Sequence, residues 1–204
     1  MPIQYHNLIF FRFQDLSSEI ESRVQLVAGY SGGDPFDESC SCIWATLADT
    51  FTDFPIPMAC EAATIELRGE IQVYDDLAQR DAAALFKFFQ RRGYINLEPG
   101  STLGPVPALL RDATPLTAVE MVEAPIAGVI AWKVDIGHTV NAGDVLGEIV
   151  DIVNIDSPRY LLRSRTSGVV YGMRNHKLIR PGEIIIKIAG SEVLPWRTGK
   201  LLTA

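Results

Sequence analysis

The second half of the chain repeats itself, and that repeat limits the fold more than any other feature. APIAGVI (Ala124 to Ile130) is echoed by RTSGVV (Arg165 to Val170), with Gly128 matching Gly168. VNAGDVLGEI (Val140 to Ile149) is echoed by IRPGEIIIKI (Ile179 to Ile188). There Gly143 matches Gly182, Asp144 matches Glu183 and Ile149 matches Ile188, at an offset of 40 residues, then 39. A single strand–turn–strand unit is too small to bury a core. Two copies interlocked about a pseudo-twofold axis can bury one. The matched glycines suit turn positions that need positive φ.

The texture differs ahead of the repeat. Residues 1–95 read as mixed α and β. Ser18-x-x-Glu21 is a capping box that would open a short helix, with Ile20 and Val24 on one face. VQLVAGY (Val24 to Tyr30) reads as a strand, and SGGDPFDE (Ser31 to Glu38) as a loop. Ile43, Trp44, Leu47, Ala48 and Phe51 recur at helical spacing. Trp44 fits a core position better than a substrate platform. Pro55 to Pro57 breaks the chain, and Ala62 to Leu67 is the next strand. Asp76 with Gln79 caps a helix bearing Leu77, Leu85, Phe88 and Phe89, which stops near Gly93. Residues 96–115, rich in Pro and Gly, read as a linker or a long ordered connection. The all-β region then runs over 116–190, and 191–204 is a tail.

Size and charge exclude several function classes. The 204 residues are 48% apolar and 21% charged, an ordinary globular balance. Net charge is −7 with no Lys/Arg-rich run, which argues against nucleic acid or an anionic membrane as partner. No apolar run is long enough for a transmembrane helix. The N-terminus lacks the basic region and cleavage site of a signal peptide, so a cytoplasmic protein is expected. Cys40, Cys42 and Cys60 do not make a disulfide framework. Cys40-x-Cys42 has metal-binding spacing, but no second Cys/His pair lies nearby. Reduced thiols in a helix or its leading loop are the simpler reading.

The repeat resembles the biotinyl/lipoyl-like barrel-sandwich fold, whose halves carry G-V-x and V-x-x-G-D-x-L. Carrier domains of that kind present a lysine on the turn between the halves. Here the middle, DIVNIDSPRYLLRSRTSG, has no lysine, so neither biotin nor lipoate is expected. What remains is a small β module that packs, gates or oligomerises.

A second resemblance covers the chain from about Ser17 to Ala204. SGGDPFDESCS, PIPMACEAATIELRGEIQVYDDLAQRDAAALFKFFQRRGYI, the linker, the barrel and LPWRTGKLLTA follow one order. That order is similar to the C-terminal part of the succinylglutamate desuccinylase/aspartoacylase family, zinc-dependent carboxypeptidase-like amide hydrolases. The fold class implied is α/β: a partial carboxypeptidase-like mixed sheet with helices, plus a small all-β barrel-sandwich domain. In that family the glutamate of the T-x-E-L-R-G strand is general base and acid, taking a proton from water and passing it to the leaving amine. The matching position is Glu66. A lone strand glutamate is most often a solvated edge residue. A partly desolvated one at a strand end can instead be tuned for proton transfer. Arg68 could orient a substrate carboxylate through a bidentate contact, or pair with Asp75 or Glu70 on the surface. Asp34 and Asp37, in SGGDPFDE, would contact substrate if that loop shapes the pocket; a plain surface loop is the alternative.

The zinc that the resemblance implies needs three protein ligands. The family supplies H-x-x-E plus a later His, ahead of the region matched here. His6, His138 and His176 do not begin that motif. His138 and His176 fall on turns of the β module, where a solvated role is expected. No metal ligand is therefore assigned within this chain. Family members are longer at the N-terminus, so this chain reads as a C-terminal part that holds the base without the metal. The strand at Val24 would then present an uncovered edge, which implies a homo-oligomer or a partner supplying the missing half. The leading reading is a hydrolase acting on an N-acyl amino acid or similar amide or ester, inactive as this chain alone. A non-catalytic binding or assembly module is the alternative. A membrane-fusion-type adaptor ranks last, because its long coiled-coil hairpin is absent.

Overall fold

The structure, a computed structural model, describes residues 3–5, 8–10, 19–22, 24–27, 39, 41–57, 59–60, 62–69, 71–106, 108, 112–199 and 201. Short apolar runs in the first half form β1 (Ile3–Tyr5), β2 (Leu8–Phe10), β3 (Val24–Val27) and β4 (Thr64–Glu66), with helices α1 (Cys42–Thr50) and α2 (Asp75–Arg91). β2 and β3 are parallel, with Leu8 opposite Val24, and β4 lies antiparallel to β2. The end of the Pro/Gly-rich connection adds β5 (Thr114–Pro115) parallel to β3. Among the described residues the sheet order is β4-β2-β3-β5.

That order corrects the expectation of an open edge at Val24. β3 has a neighbour on each side, and Val24 and Leu26 are 0% and 1% exposed. The two-residue β5 was hidden in a stretch that reads as linker. Pro115 is tolerated there because β5 is an edge strand among the described residues.

The capping box at Ser18 is also corrected. Glu19 is helical, but Ile20 and Glu21 already form a turn, and Glu21 has φ +58°. A turn therefore stands where the helix was expected to run, with the left-handed Glu21 ahead of β3. Ser18 itself lies outside the described residues. In α2 the cap position is Tyr74, with no side-chain bond, so Asp76 is not the cap. Asp75 and Asp76 instead occupy the first turn, where their charge complements the helix dipole. The stop near Gly93 is as expected: Gly93 has φ +76°, and Tyr94 N donates to Phe89 O at 2.9 Å. In α1 only Ala45 is buried; Trp44 is half-buried and Ile43 is 59% exposed.

Apolar packing joins the halves. Val24 and Leu26 pack with Leu116, Val119, Val169 and Tyr171 of the second half. Each such aliphatic side chain contributes roughly 2 kcal/mol by leaving water. β1 pairs antiparallel with β11 (Gly168–Arg174), so the first strand belongs to the sheet of the repeat. Ile20 packs with Val27, Ile65, Leu85 and Phe88, which seats α2 on the mixed sheet.

The repeat folds as two interlocked copies. The first comprises β6 (Val119–Glu123), β7 (Gly128–Trp132), β8 (Thr139–Val140) and β9 (Val145–Val150). The second comprises β10 (Tyr160–Arg163), β11, β12 (Leu178–Ile179) and β13 (Ile184–Gly190). Each copy's shortest strand crosses to the other copy. Val140 pairs opposite Gly168, and its counterpart Ile179 pairs opposite Gly128. The turn contacts match as well: Gly143 N donates to Ser164 O at 2.8 Å, and Gly182 N to Ala124 O at 2.9 Å. Ile130 and Val170, Leu146 and Ile185, and Ile149 and Ile188 all meet in one core.

Two different constraints hold the matched glycines. Gly143 and Gly182 have φ of +93° and +79°, the left-handed turn conformation expected of them. Gly168 is held by space, and Gly128 by space together with a φ of +157°. A Cβ at Gly128 would lie 2.3 Å from Val150 O, and one at Gly168 would lie 2.1 Å from Ala189 O.

The matched acids close the matched turns. Asp144 Oδ2 accepts from Asn141 N at 2.7 Å, and Glu183 Oε2 from Arg180 N at 2.8 Å. Among the described residues Glu183 also pairs with Arg174, at 3.1 Å, and Asp144 has no such ion pair. Urea unfolding should find Asp144→Ala destabilising by about 1 kcal/mol and Glu183→Ala by about 2 kcal/mol. Equal costs would mean that the Arg174 pair contributes nothing.

The turn between the copies, where a carrier would hold its lysine, is organised by Asp151. Its Oδ1 accepts from Val153 N at 2.8 Å and Asn154 N at 3.1 Å. The Asn154 side chain, then these backbone amides, hold its carboxyl below the ordinary 3.8. A depressed carboxylate stabilises the fold above the unfolded value and stops doing so as pH falls through the folded one. The amide resonances of Val153 and Asn154 should therefore shift together with a midpoint below pH 3.8.

Candidate functional site

Glu66 is the last residue of β4, the outer strand of the mixed sheet. The antiparallel register sets it opposite Leu8. It is half-buried, the state expected of a carboxylate on a strand end. Thr64 and Ile65 ahead of it supply the β-branched character that makes this a strand.

The chain turns sharply just past Glu66. Arg68 has φ +60°, a left-handed conformation that costs a non-glycine residue roughly 1–2 kcal/mol. It is held there by an ion pair from Nη1 to Asp81 Oδ2 in α2. The two side chains are 16% and 12% exposed. Gly69 N donates to Gln72 Oε1 at 3.1 Å, which fixes the following turn. The expected surface partners are therefore corrected: Arg68 engages Asp81, not Asp75, and Glu70 lies outside the described residues. A left-handed backbone returns the Arg68 side chain over α2, a direction that sequence spacing does not reveal.

The pairing has a testable size. A double-mutant cycle on Arg68→Ala and Asp81→Ala should give a coupling of about 1–2 kcal/mol in unfolding free energy. Additive effects would show that the pair is not formed in solution.

A cavity of about 10 Å³ lies beneath β4, lined by Ile65, Leu67, Asp81 and Leu85 among others. That is room for one water at most. Glu66 does not line it. Asp34 and Asp37 lie outside the described residues, as do His6 and Cys40, so no distance relates them to Glu66. His138 and His176 are exposed on turns of the repeat, as expected. His138 Nδ1 accepts from Asp135 N at 3.1 Å. Among the described residues no three of His, Cys, Asp and Glu come together as metal ligands. The described side chains therefore do not fit the three-ligand zinc site that the family resemblance implies. Cys42 and Cys60 are free thiols. No helix among the described residues is long and apolar enough to cross a membrane.

Sequence reasoning missed Glu120. It sits in the apolar run AVEMV and is 0% exposed. Its carboxylate accepts from Arg165 Nε at 2.8 Å, Arg165 N at 3.0 Å and Thr166 N at 3.2 Å. Nothing in that run marks the position, and only the fold brings the donors to it.

Comparison with known proteins bears on the fold. No family model matches the chain, and no curated protein matches it. Solved structures do. A protein assigned to the succinylglutamate desuccinylase/aspartoacylase group from Shewanella frigidimarina matches over 92% of this chain and 50% of its own, at 20% identity and TM-score 0.76. A family protein from Shewanella amazonensis matches over 91% and 51%, at 19% identity and TM-score 0.76. The product-bound ectoine utilization protein EutE of Ruegeria pomeroyi matches over 93% and 55%, at 14% identity and TM-score 0.62. The chain is structurally similar to part of these proteins, as its sequence led us to expect, and spans about half their length.

Proposed function

We propose that this chain is the C-terminal part of a hydrolase that cleaves the amide or ester bond of an N-acyl amino acid or similar small molecule. Glu66 is the group that takes and returns the proton. The observation that carries this reading is the similarity over 92% of the chain to part of the Shewanella frigidimarina protein, at TM-score 0.76. The half-buried carboxylate at the end of β4 agrees with it. A general base must be held within hydrogen-bond reach of the proton it removes, and a strand end is a stiff mount for one.

Arg68 is assigned a positioning role in this reading. Its tie to Asp81 holds the turn beside Glu66 and leaves little of the guanidinium for substrate. Asp34 and Asp37 are proposed to contact substrate from the preceding loop. Zinc is assigned to residues outside those described. Residues 116–190 are read as a barrel-sandwich of the biotinyl/lipoyl-like type serving as scaffold, a reading favoured by the reciprocal bonds of Gly143 and Gly182.

The test uses the protein as isolated from its native cells. N-acetyl and N-succinyl amino acids are offered beside matching esters, and product is followed by chromatography. Hydrolysis of at least one acyl amino acid is expected, with a stoichiometric metal by elemental analysis. The absence of both turnover and metal would overturn the reading.

A further inference from the structure

The two sheets of the repeat each end in an open strand. β6 ends one and β10 the other, and among the described residues neither has a partner on its outer side. Both line one groove of about 720 Å³, and Trp196 and Arg197 of the C-terminal tail line it as well. Met121, Leu161 and Ile184 give it apolar surface. Tyr160 and Leu161 are each 44% exposed, and Trp196 is 49% exposed.

The charge of this groove opposes that of the chain. The protein carries −7, yet Arg163, Arg165 and Arg197 line the groove against one acid, Glu123. Arg165 is already neutralised by buried Glu120 and stacks on Trp196 at 4.5 Å. The other two guanidinium groups bond only to neutral acceptors. Arg163 Nη1 donates to Gly143 O at 2.8 Å, and Arg197 Nη2 to Leu201 O at 2.9 Å. Neither has a carboxylate partner among the described residues.

We propose that this groove binds an extended acidic peptide segment of another protein, added as a strand to the open edge of β10. An open strand edge supplies backbone donors and acceptors, and side-chain contacts supply the selection. The four residues of β10 span about 13 Å at the usual rise, enough for a short strand with one or two carboxylates in reach of Arg163 and Arg197. Its aliphatic side chains, which alternate with the carboxylates, meet Tyr160 on the face opposite Arg163. Nothing in this binding requires Glu66 or hydrolysis, so the two readings fail separately.

Fluorescence anisotropy with the full chain tests this. The probe is a labelled decapeptide of alternating Glu and Val, compared with a Lys–Val peptide and with a Glu–Val peptide N-methylated at alternate residues. The Glu–Val peptide should bind at least tenfold more tightly than the other two. Arg163→Glu and Arg197→Glu should each weaken it by roughly fivefold in variants that circular dichroism shows to be folded, and Arg163→Gln, which removes charge without reversing it, should weaken it less. Equal binding of the Lys–Val peptide would overturn the charge argument. Equal binding of the N-methylated peptide would overturn strand addition. Competition by N-acetylglutamate or single-stranded DNA as effective as by the unlabelled peptide would overturn the peptide assignment.

Discussion

Gly168→Ala is expected to destabilise the protein by about 3 kcal/mol in urea unfolding, at the upper end of ordinary overpacking. The methyl group would sit 2.1 Å from Ala189 O and 2.9 Å from Gly190 Cα. Both are backbone atoms of β13, so no side-chain rotation relieves the contact. β11 must withdraw from β13, and β13 is the strand that joins it to β6. At least the same loss is expected of Gly128→Ala, whose methyl would meet Val150 O at 2.3 Å and whose φ of +157° adds backbone strain. Gly143→Ala should cost less, about 1 kcal/mol. Its Cβ would meet open space, and only the left-handed backbone resists it. If all three substitutions cost the same, close approach is not what selects glycine at Gly128 and Gly168.

Glu66→Gln should lower kcat by about 10²–10⁴-fold in the hydrolysing protein, with KM and metal content little changed. Glutamine keeps the shape and one acceptor oxygen but cannot take a proton at neutral pH. An edge-strand position tolerates the change structurally, because Glu66 is half-buried and its backbone bonds to β2 do not depend on the side chain. A purely structural residue would show the opposite pattern: stability would move and kcat would not. Arg68→Ala provides the contrast. It breaks the Asp81 tie, so both stability and rate should fall together.

What could be read from the sequence was local. Gly143 and Gly182 with their neighbouring acids announce turns, because positive φ and a carboxylate acceptor are chemistry of adjacent residues. Gly93 ends α2 for the same reason. What failed was long-range. Nothing near Val24 reveals that Thr114 and Pro115, some 90 residues on, form the strand beside it. Nothing around Arg68 reveals Asp81 rather than Asp75, since the choice depends on a left-handed backbone angle. Glu120 reads as a solvated residue in a strand until the fold surrounds it with three N–H donors. Of the candidate site, the strand and its carboxylate were legible as a motif. Asp34 and Asp37 lie outside the described residues.

The proton-transfer role proposed for Glu66 is tested most directly by steady-state hydrolysis of an N-acyl amino acid by the natively isolated protein and its Glu66→Gln form, with zinc measured in the same samples. A rate lost by at least 100-fold at unchanged zinc content is the result this account requires. Equal rates in the two forms would contradict it.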